Sequence, residues 1–187
     1  PGRHRLSLVI PAYHEAARIG ATVARVRAEL GPLVDDDLEI VVVDDGSGDA
    51  TAREAEAAGA DQVLAQPVNR GKGASVRAGM IAATGRTRAF TDADLAYAPA
   101  QVARLLAEVE DGWDMVVGNR HHADTTTVVE ARWLREFGGR VINGATRTVL
   151  LGRHGDTQCG LKAFRSDVAE LLFGHSRVDG FAFDVEL

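Results

Sequence analysis

The sequence predicts an α/β fold, with a mostly parallel sheet flanked by helices. Three observations carry this. Short continuous apolar runs recur at residues 6–10, 38–43 and 62–65, as in strands buried on both faces. Segments with apolar residues at helical spacing separate them. Carboxylates follow the runs, at Glu15, at Asp44 and Asp45, and at Asp92 and Asp94, where open parallel sheets bind ligands beyond their carboxyl edge.

The elements follow in order. Leu6-Ser7-Leu8-Val9-Ile10 reads as a strand ended by Pro11. Residues 15–30 carry Ala16, Ile19, Val23, Val26 and Leu30 on one helical face, and Gly31-Pro32 stops the helix. Residues 38–43 form a β-branched strand, and 44–49 a loop. The Ala-rich stretch 50–58 is a helix closed by Gly59. A strand at 62–65, a helix at 71–83 and a strand at 88–91 come next. Pro99 suits the first turn of a helix over 99–110. A fifth strand at 114–117, a long helix at 131–151, a strand at 161–164 and a helix at 166–173 complete the chain. Alternation of this kind implies right-handed crossovers.

A length of 187 residues suits one domain, 1–187. Twenty-seven acidic and 21 basic residues leave a net charge of −6, which argues against broad binding of nucleic acid. A local basic patch is still available from Arg120, Arg132, Arg135, Arg140, Arg147, Arg153 and Lys162. Cys159 is the only cysteine, so no internal disulfide forms, in keeping with a reducing compartment. Its expected role is a small buried residue rather than a nucleophile. No apolar run reaches the ~18 residues of a membrane span. Pro1 is not a natural start, and the chain stops inside the apolar pattern at 181–187. The expectation is a piece of a longer protein, truncated at its C-terminus.

Thr91-Asp92-Ala93-Asp94 is the motif richest in chemistry. Two carboxylates one residue apart at a strand end can hold one divalent cation, and hard oxygen ligands suit Mg²⁺ or Mn²⁺. Such an ion would clamp a diphosphate and neutralise its charge as it leaves. Gly71-Lys72-Gly73 lacks the P-loop spacing, and Pro11-Ala12-Tyr13-His14-Glu15 is not a dinucleotide fingerprint.

Taken together, Val9-Ile10-Pro11-Ala12-Tyr13-His14-Glu15, Val42-Val43-Asp44-Asp45-Gly46-Ser47, Asn69-Arg70-Gly71-Lys72-Gly73 and Thr91-Asp92-Ala93-Asp94 resemble family-two inverting glycosyltransferases of the GT-A, Rossmann-like fold. Gly118-Asn119-Arg120 and the run from Asp156 to Lys162 resemble the polyprenyl-phosphate branch. That run, with residues 179–186, is most similar to dolichyl-phosphate glucosyltransferases, with dolichyl-phosphate mannose synthases as near neighbours.

The resemblance implies transfer of a hexose, with inversion, from UDP-glucose or GDP-mannose to a polyprenyl or dolichyl phosphate at the cytoplasmic face of a membrane. UDP-glucose is favoured. By the same resemblance Pro11, Tyr13 and Glu15 line the base and ribose, Asp44 or Asp45 accepts hydrogen bonds from the base, and Lys72 lies near the nucleotide. Asp92 faces the ribose or sugar, and Asp94 is the principal metal ligand. Mannose synthases can add a Gln two residues further on; here that position is Ala96, so phosphate and water complete the coordination. Arg120 is the acceptor-side arginine, with Arg132 or Arg135 as partner, since arginine suits phosphate through paired hydrogen bonds. Asp156 acts as a base or orients the acceptor.

Plainer roles compete. Glu15 could cap a helix, Asp44 and Asp45 could only form a turn, and Lys72 could be solvated at a helix start. Arg132, Arg135 and Arg140 could be an exposed helix face. His121 and His122 read as solvated, and Trp113 and Trp133 as packing or interface residues. Asp184 and Glu186 could mark a strand or helix edge. Two other functions remain open: the same donor with a soluble or saccharide acceptor, and nucleotide-sugar binding without turnover.

Overall fold

The computed structural model describes residues 2–118 and 159–187. A six-stranded sheet runs through them in the order β3-β2-β1-β4-β6-β5. Its strands are β1 (Leu6–Ala12), β2 (Leu38–Asp44), β3 (Gln62–Ala65), β4 (Thr87–Phe90), β5 (Met115–Val117) and β6 (Lys162–Arg165). The helices are α1 (Ile19–Leu30), α2 (Thr51–Ala57), α3 (Lys72–Ala82), α4 (Pro99–Glu110), α5 (Ser166–His175) and the short α6 (Phe183–Glu186).

β1, β2, β3 and β4 pair with one another in parallel. β6 runs the other way, antiparallel to both β4 and β5. This reversal brings the start of β6, not its end, to the carboxyl edge, with Lys162 beside Phe90 and Val117. The expected long helix at 131–151 lies outside the described residues.

Side chains alternate across the sheet as the strand period requires. Leu6, Leu8 and Ile10 of β1 and Ile40 and Val42 of β2 face a core closed by α1 and α4. Val9, Val41 and Val43 face the opposite core, with Val76 and Met80 of α3 and Phe90, Phe164, Phe173 and Phe183. Both faces are covered, so the strands read as unbroken apolar runs.

Two boundaries differ from expectation for local reasons. β1 continues through Pro11 to Ala12. Thr91 N donates to Val9 O, so Pro11, two residues on, turns its nitrogen to the same side. There β4 has already ended at Phe90, and the missing N–H breaks no ladder bond. α1 begins at Ile19 rather than Glu15, because residues 15–18 form a turn in which Arg18 N and Ile19 N both donate to Glu15 O.

At the far edge, buried Glu39 joins three elements. Its carboxylate accepts Ser7 Oγ, the Thr84 N–H at 2.7 Å, Thr84 Oγ1 at 3.0 Å and Gln62 Nε2 at 2.7 Å. Burial alone pushes this carboxyl up, but the hydrogen bonds from Ser7, Thr84 and Gln62 outweigh it and hold the group below its usual range. The ionised form is therefore favoured by folding. Its contribution is complete above the unfolded value of about 4.3 and is lost as pH falls through the lower folded value. Glu39→Gln should cost roughly 1.5–3 kcal/mol at neutral pH. Thermal melts of both proteins from neutral to strongly acid pH should show the gap closing as the wild type is protonated.

Candidate active site

The carboxyl edge collects the ends of β1, β2, β4 and β5 and the start of β6. Beyond β1 and β2 the two loops lace together. His14 N donates to Ser47 Oγ at 2.9 Å, and Glu15 N to Thr51 Oγ1 at 2.9 Å. Thr51 Oγ1 donates in turn to Asp49 at 2.5 Å. His14 has φ of 55°, an unusual value without glycine, and it turns the chain sharply after Tyr13. Tyr13 stays half exposed beside the ring of His14. The Glu15 carboxylate meets Arg18 Nε at 2.9 Å.

Asp44 and Asp45 are both buried but do different work. Asp44 Oδ1 accepts Ser47 N at 3.0 Å, shaping its own loop. Asp45 accepts Arg70 N at 2.9 Å and Gly71 N at 2.8 Å, one on each oxygen. Asp45 thus staples the end of β2 to the start of α3.

Lys72 is the first residue of α3, and its Nζ lies 2.5 Å from Asp92 Oδ1. The two side chains keep only 16% and 35% of their exposure, so this pair is shielded well beyond an ordinary surface pair. Asp92 is also held from the other side. A Cβ on Gly160 would fall 2.6 Å from Asp92 Oδ2, so only glycine lets the carboxylate lie where it does. Asp94 is exposed, with Oδ1 accepting Ala96 N at 3.1 Å. Ala93 between them is tied to α1 through Thr22 Oγ1, which donates to Ala93 O at 2.6 Å. Leu95 closes the turn at φ 47°, a strained value of the kind that collects at functional sites. Thr91 Oγ1, at the start of the motif, is buried with no partner among the described residues.

A second charge pair lies beneath. Lys162 is 1% exposed and Asp184 8% exposed, and their side chains form a short ion pair. Lys162 Nζ sits 5.7 Å from the ring of Phe90 and 5.9 Å from that of Phe183. Burial pushes the Asp184 carboxyl up, Lys162 pulls against this, and Lys72 and Asp92 act on it with opposite signs. The two pairs therefore sense one another.

A strap, residues 176–182, crosses the start of α3. Asp179 O accepts Ala74 N at 3.1 Å, and the Asp179 carboxylate pairs with Arg77 and, at 3.7 Å, with Arg70. The hydrogen bond from Arg77 holds the Asp179 carboxyl below its usual range. Gly71 has φ of 101°, and a Cβ there would meet Asp179 O at 2.6 Å. Glycine is thus required at Gly71 by conformation and contact together.

Comparison with known proteins identifies the fold. The glycosyl transferase family 2 profile matches residues 7–173. The chain belongs to this family. It is 34% identical over 204 residues to a dolichyl-phosphate beta-glucosyltransferase of Drosophila melanogaster, covering 97% of this chain and 61% of that protein. It is 31% identical over 180 residues to an undecaprenyl-phosphate 4-deoxy-4-formamido-L-arabinose transferase of Enterobacter sp. (strain 638), covering 93% and 53%. Among solved structures it resembles glucosyl-3-phosphoglycerate synthase of Mycobacterium tuberculosis in complex with Mn²⁺, UDP-glucose and phosphoglyceric acid. There the TM-score is 0.68 at 26% identity, with 97% of this chain and 63% of that one covered. The chain thus spans 61% and 53% of the length of these two curated relatives.

In family terms the described residues bring Pro11, Tyr13, Glu15, Asp44, Asp45, Lys72, Asp92 and Asp94 to one sheet edge. Arg120, Arg132, Arg135 and Asp156, with His121, His122 and Trp133, lie outside the described residues. Trp113 stands before β5, at the opposite edge. Cys159 is fully buried, with Sγ 3.2 Å from Tyr97 Oη, as its expected packing role requires. No helix among the described residues is long and apolar enough to cross a membrane.

The donor set fits Mg²⁺ or Mn²⁺. Among the described residues no group of three or more His, Cys, Asp or Glu side chains could hold a metal. One or two carboxylates completed by phosphate and water is the ordinary way Mg²⁺ is bound.

Lys162 and Asp184 are the pair that the sequence reading missed. The available signal was a lysine inside the apolar run Leu161-Lys162-Ala163-Phe164. Breaking a buried pair from one side leaves an uncompensated charge. Lys162→Met should therefore cost about 3–5 kcal/mol, and adding Asp184→Leu should recover much of it. Urea denaturation of the single and double variants checks this; additive losses would mean the pair is not the source.

Proposed function

We propose that this chain is the catalytic domain of an inverting glycosyltransferase that moves glucose from UDP-glucose to a polyprenyl or dolichyl phosphate, with Mg²⁺ or Mn²⁺. One observation carries the reading: Asp92 and Asp94 follow the central strand β4 at the edge where Lys72 and the β1 and β2 loops converge. The relatives named above act on lipid phosphates, and the solved neighbour was crystallised with Mn²⁺ and UDP-glucose.

The side chains divide the work. Tyr13 and the laced loops flank the base and ribose. Asp45 is committed to Arg70 N and Gly71 N, which leaves Asp44 to accept from the base. Lys72 and the amino end of α3 favour the diphosphate electrostatically. Asp94, with Asp92, would hold the divalent ion, which when bound supplies positive charge to the departing diphosphate. A lipid phosphate is already an anion and needs little proton removal to attack. It needs cationic partners to approach an anionic donor, and Arg120 with Arg132 or Arg135 fills that role. Asp156 orients this acceptor or serves as a base.

A second reading keeps the donor and changes the acceptor to a small soluble phosphate. It is favoured by the likeness to the glucosyl-3-phosphoglycerate synthase structure. Product analysis with a short polyprenyl phosphate and with 3-phosphoglycerate separates the two.

Asp94→Ala should abolish metal-dependent binding of UDP-glucose while leaving the circular dichroism spectrum unchanged. Calorimetry with Mn²⁺ should also show UDP preferred to GDP. Unaltered affinity and metal dependence in the variant would remove Asp94 from the site.

Arg120→Ala should weaken use of the acceptor about ten- to hundredfold, the worth of one charge-assisted hydrogen-bonding group, with donor binding preserved. Arg120→Lys should recover only part, because it keeps the charge and loses the fork. Steady-state kinetics with varied polyprenyl phosphate measures both. Lost donor binding instead would assign Arg120 to the other substrate.

A further inference from the structure

We infer that Lys72 is the resident counter-ion of Asp92, and that it yields this carboxylate to a divalent cation only when a nucleoside diphosphate arrives to take up its ammonium group. The inference rests on the nucleotide-sugar reading of the same edge and adds an order to the binding.

Asp92 Oδ1 is already in contact with a cation, the Lys72 ammonium at 2.5 Å. A divalent ion binding alone must either displace it or share one carboxylate with it, and like charges at that range repel strongly. Asp92 has a short side chain whose second oxygen lies on the side of Gly160, where a Cβ would come within 2.6 Å. The movable partner is the long lysine stem.

Among the described residues, the buried carboxylates around this ammonium group already have partners of their own. Asp184, which feels the charge of Lys72, is buried in its own pair with Lys162. Asp45 is spent on the Arg70 and Gly71 amides, and Asp179 on Arg77 and Arg70. Lys72 starts α3, whose amino end favours an anion at the place the side chain springs from. A diphosphate there offers Lys72 a new partner and offers the metal extra oxygens at once. Metal and nucleotide then bind with positive coupling, and by linkage each strengthens the other by the same factor.

The test is Mn²⁺ binding to the full chain, read by electron paramagnetic resonance of the free ion, with and without UDP at constant pH. Wild type should bind Mn²⁺ weakly alone and more tightly with UDP. Lys72→Met should bind Mn²⁺ alone about tenfold more tightly than wild type, while the gain on adding UDP shrinks by about the same factor. Lys72→Gln, which keeps a polar contact without the charge, must move both values in the same direction. Lys72→Arg should stay near wild type without UDP. Mn²⁺ affinity unchanged or weakened in Lys72→Met and Lys72→Gln, with coupling to UDP intact, overturns the counter-ion role and leaves the nucleotide-sugar reading standing. Wild type that binds no Mn²⁺ even with UDP removes that reading and this inference together.

Discussion

Gathering negative charge at one edge of a sheet is the constraint on which the rest of this structure depends. Asp44, Asp45, Asp92 and Asp184 all lie there, three of them buried. Carboxylates brought together out of water repel, and each buried one also loses hydration. The chain answers with two kinds of compensation. Backbone amides serve Asp44 and Asp45, through Ser47, Arg70 and Gly71. Ammonium groups serve Asp92 and Asp184, through Lys72 and Lys162. The first kind shapes loops permanently. The second leaves a charge that can be exchanged, but only in the less deeply buried pair. Lys162 is sealed under aromatic rings and fixes the floor, while Lys72 stands where a ligand can reach it.

The compensation also explains how distant parts of the chain come to form one site. Lys162 enters the edge because β6 is antiparallel, and Asp184 reaches it because the strap crosses α3. That crossing needs close approach of backbone to backbone. A Cβ at Gly73 would lie 2.4 Å from Val178 O and 2.7 Å from Phe183 Cβ, so the glycines at the start of α3 admit the strap. Glu186 then accepts the amides of Arg177 and Val178, returning the end of the strap to its beginning. The gap between Asp92 and Asp184 in sequence is closed by contacts to α3, the helix that carries Lys72.

The first half of the fold was legible because its signals are local. Continuous β-branched strands, helical spacing and stops at Gly31-Pro32 and Gly59 mark the elements without reference to partners. The carboxylates after β1, β2 and β4 were legible for the same reason, since position relative to a strand end is a sequence property. What escaped was pairwise. Nothing in Leu161-Lys162-Ala163-Phe164 states that β6 runs antiparallel, because register and direction are settled by the neighbouring strand. Nothing near Asp45 shows that its acceptors are used up by amides in the 70–71 turn. Pro11 read as a strand end because its missing N–H counts against a ladder, yet β4 stops short of it. Asp184 read as an edge residue because its partner, Lys162, lies on β6, remote from it in sequence.

Net charge misleads for such a protein. A total of −6 argues against anionic partners in general, yet the proposed donor and acceptor are both anions. The resolution lies in distance. Exposed charges further apart than about 8–10 Å are largely screened at physiological salt, whereas shielded groups in contact are not. Surface pairs such as Arg25 with Glu29 and Arg165 with Asp167 therefore contribute little to the field at the site. On the proposed reading a diphosphate would meet Lys72 and the amino end of α3, with Asp92 and Asp184 each already paired with a lysine. On that reading, selectivity for an anion at this edge would depend on which carboxylates keep their partners when the ligand arrives, with Asp92 the one whose partner moves.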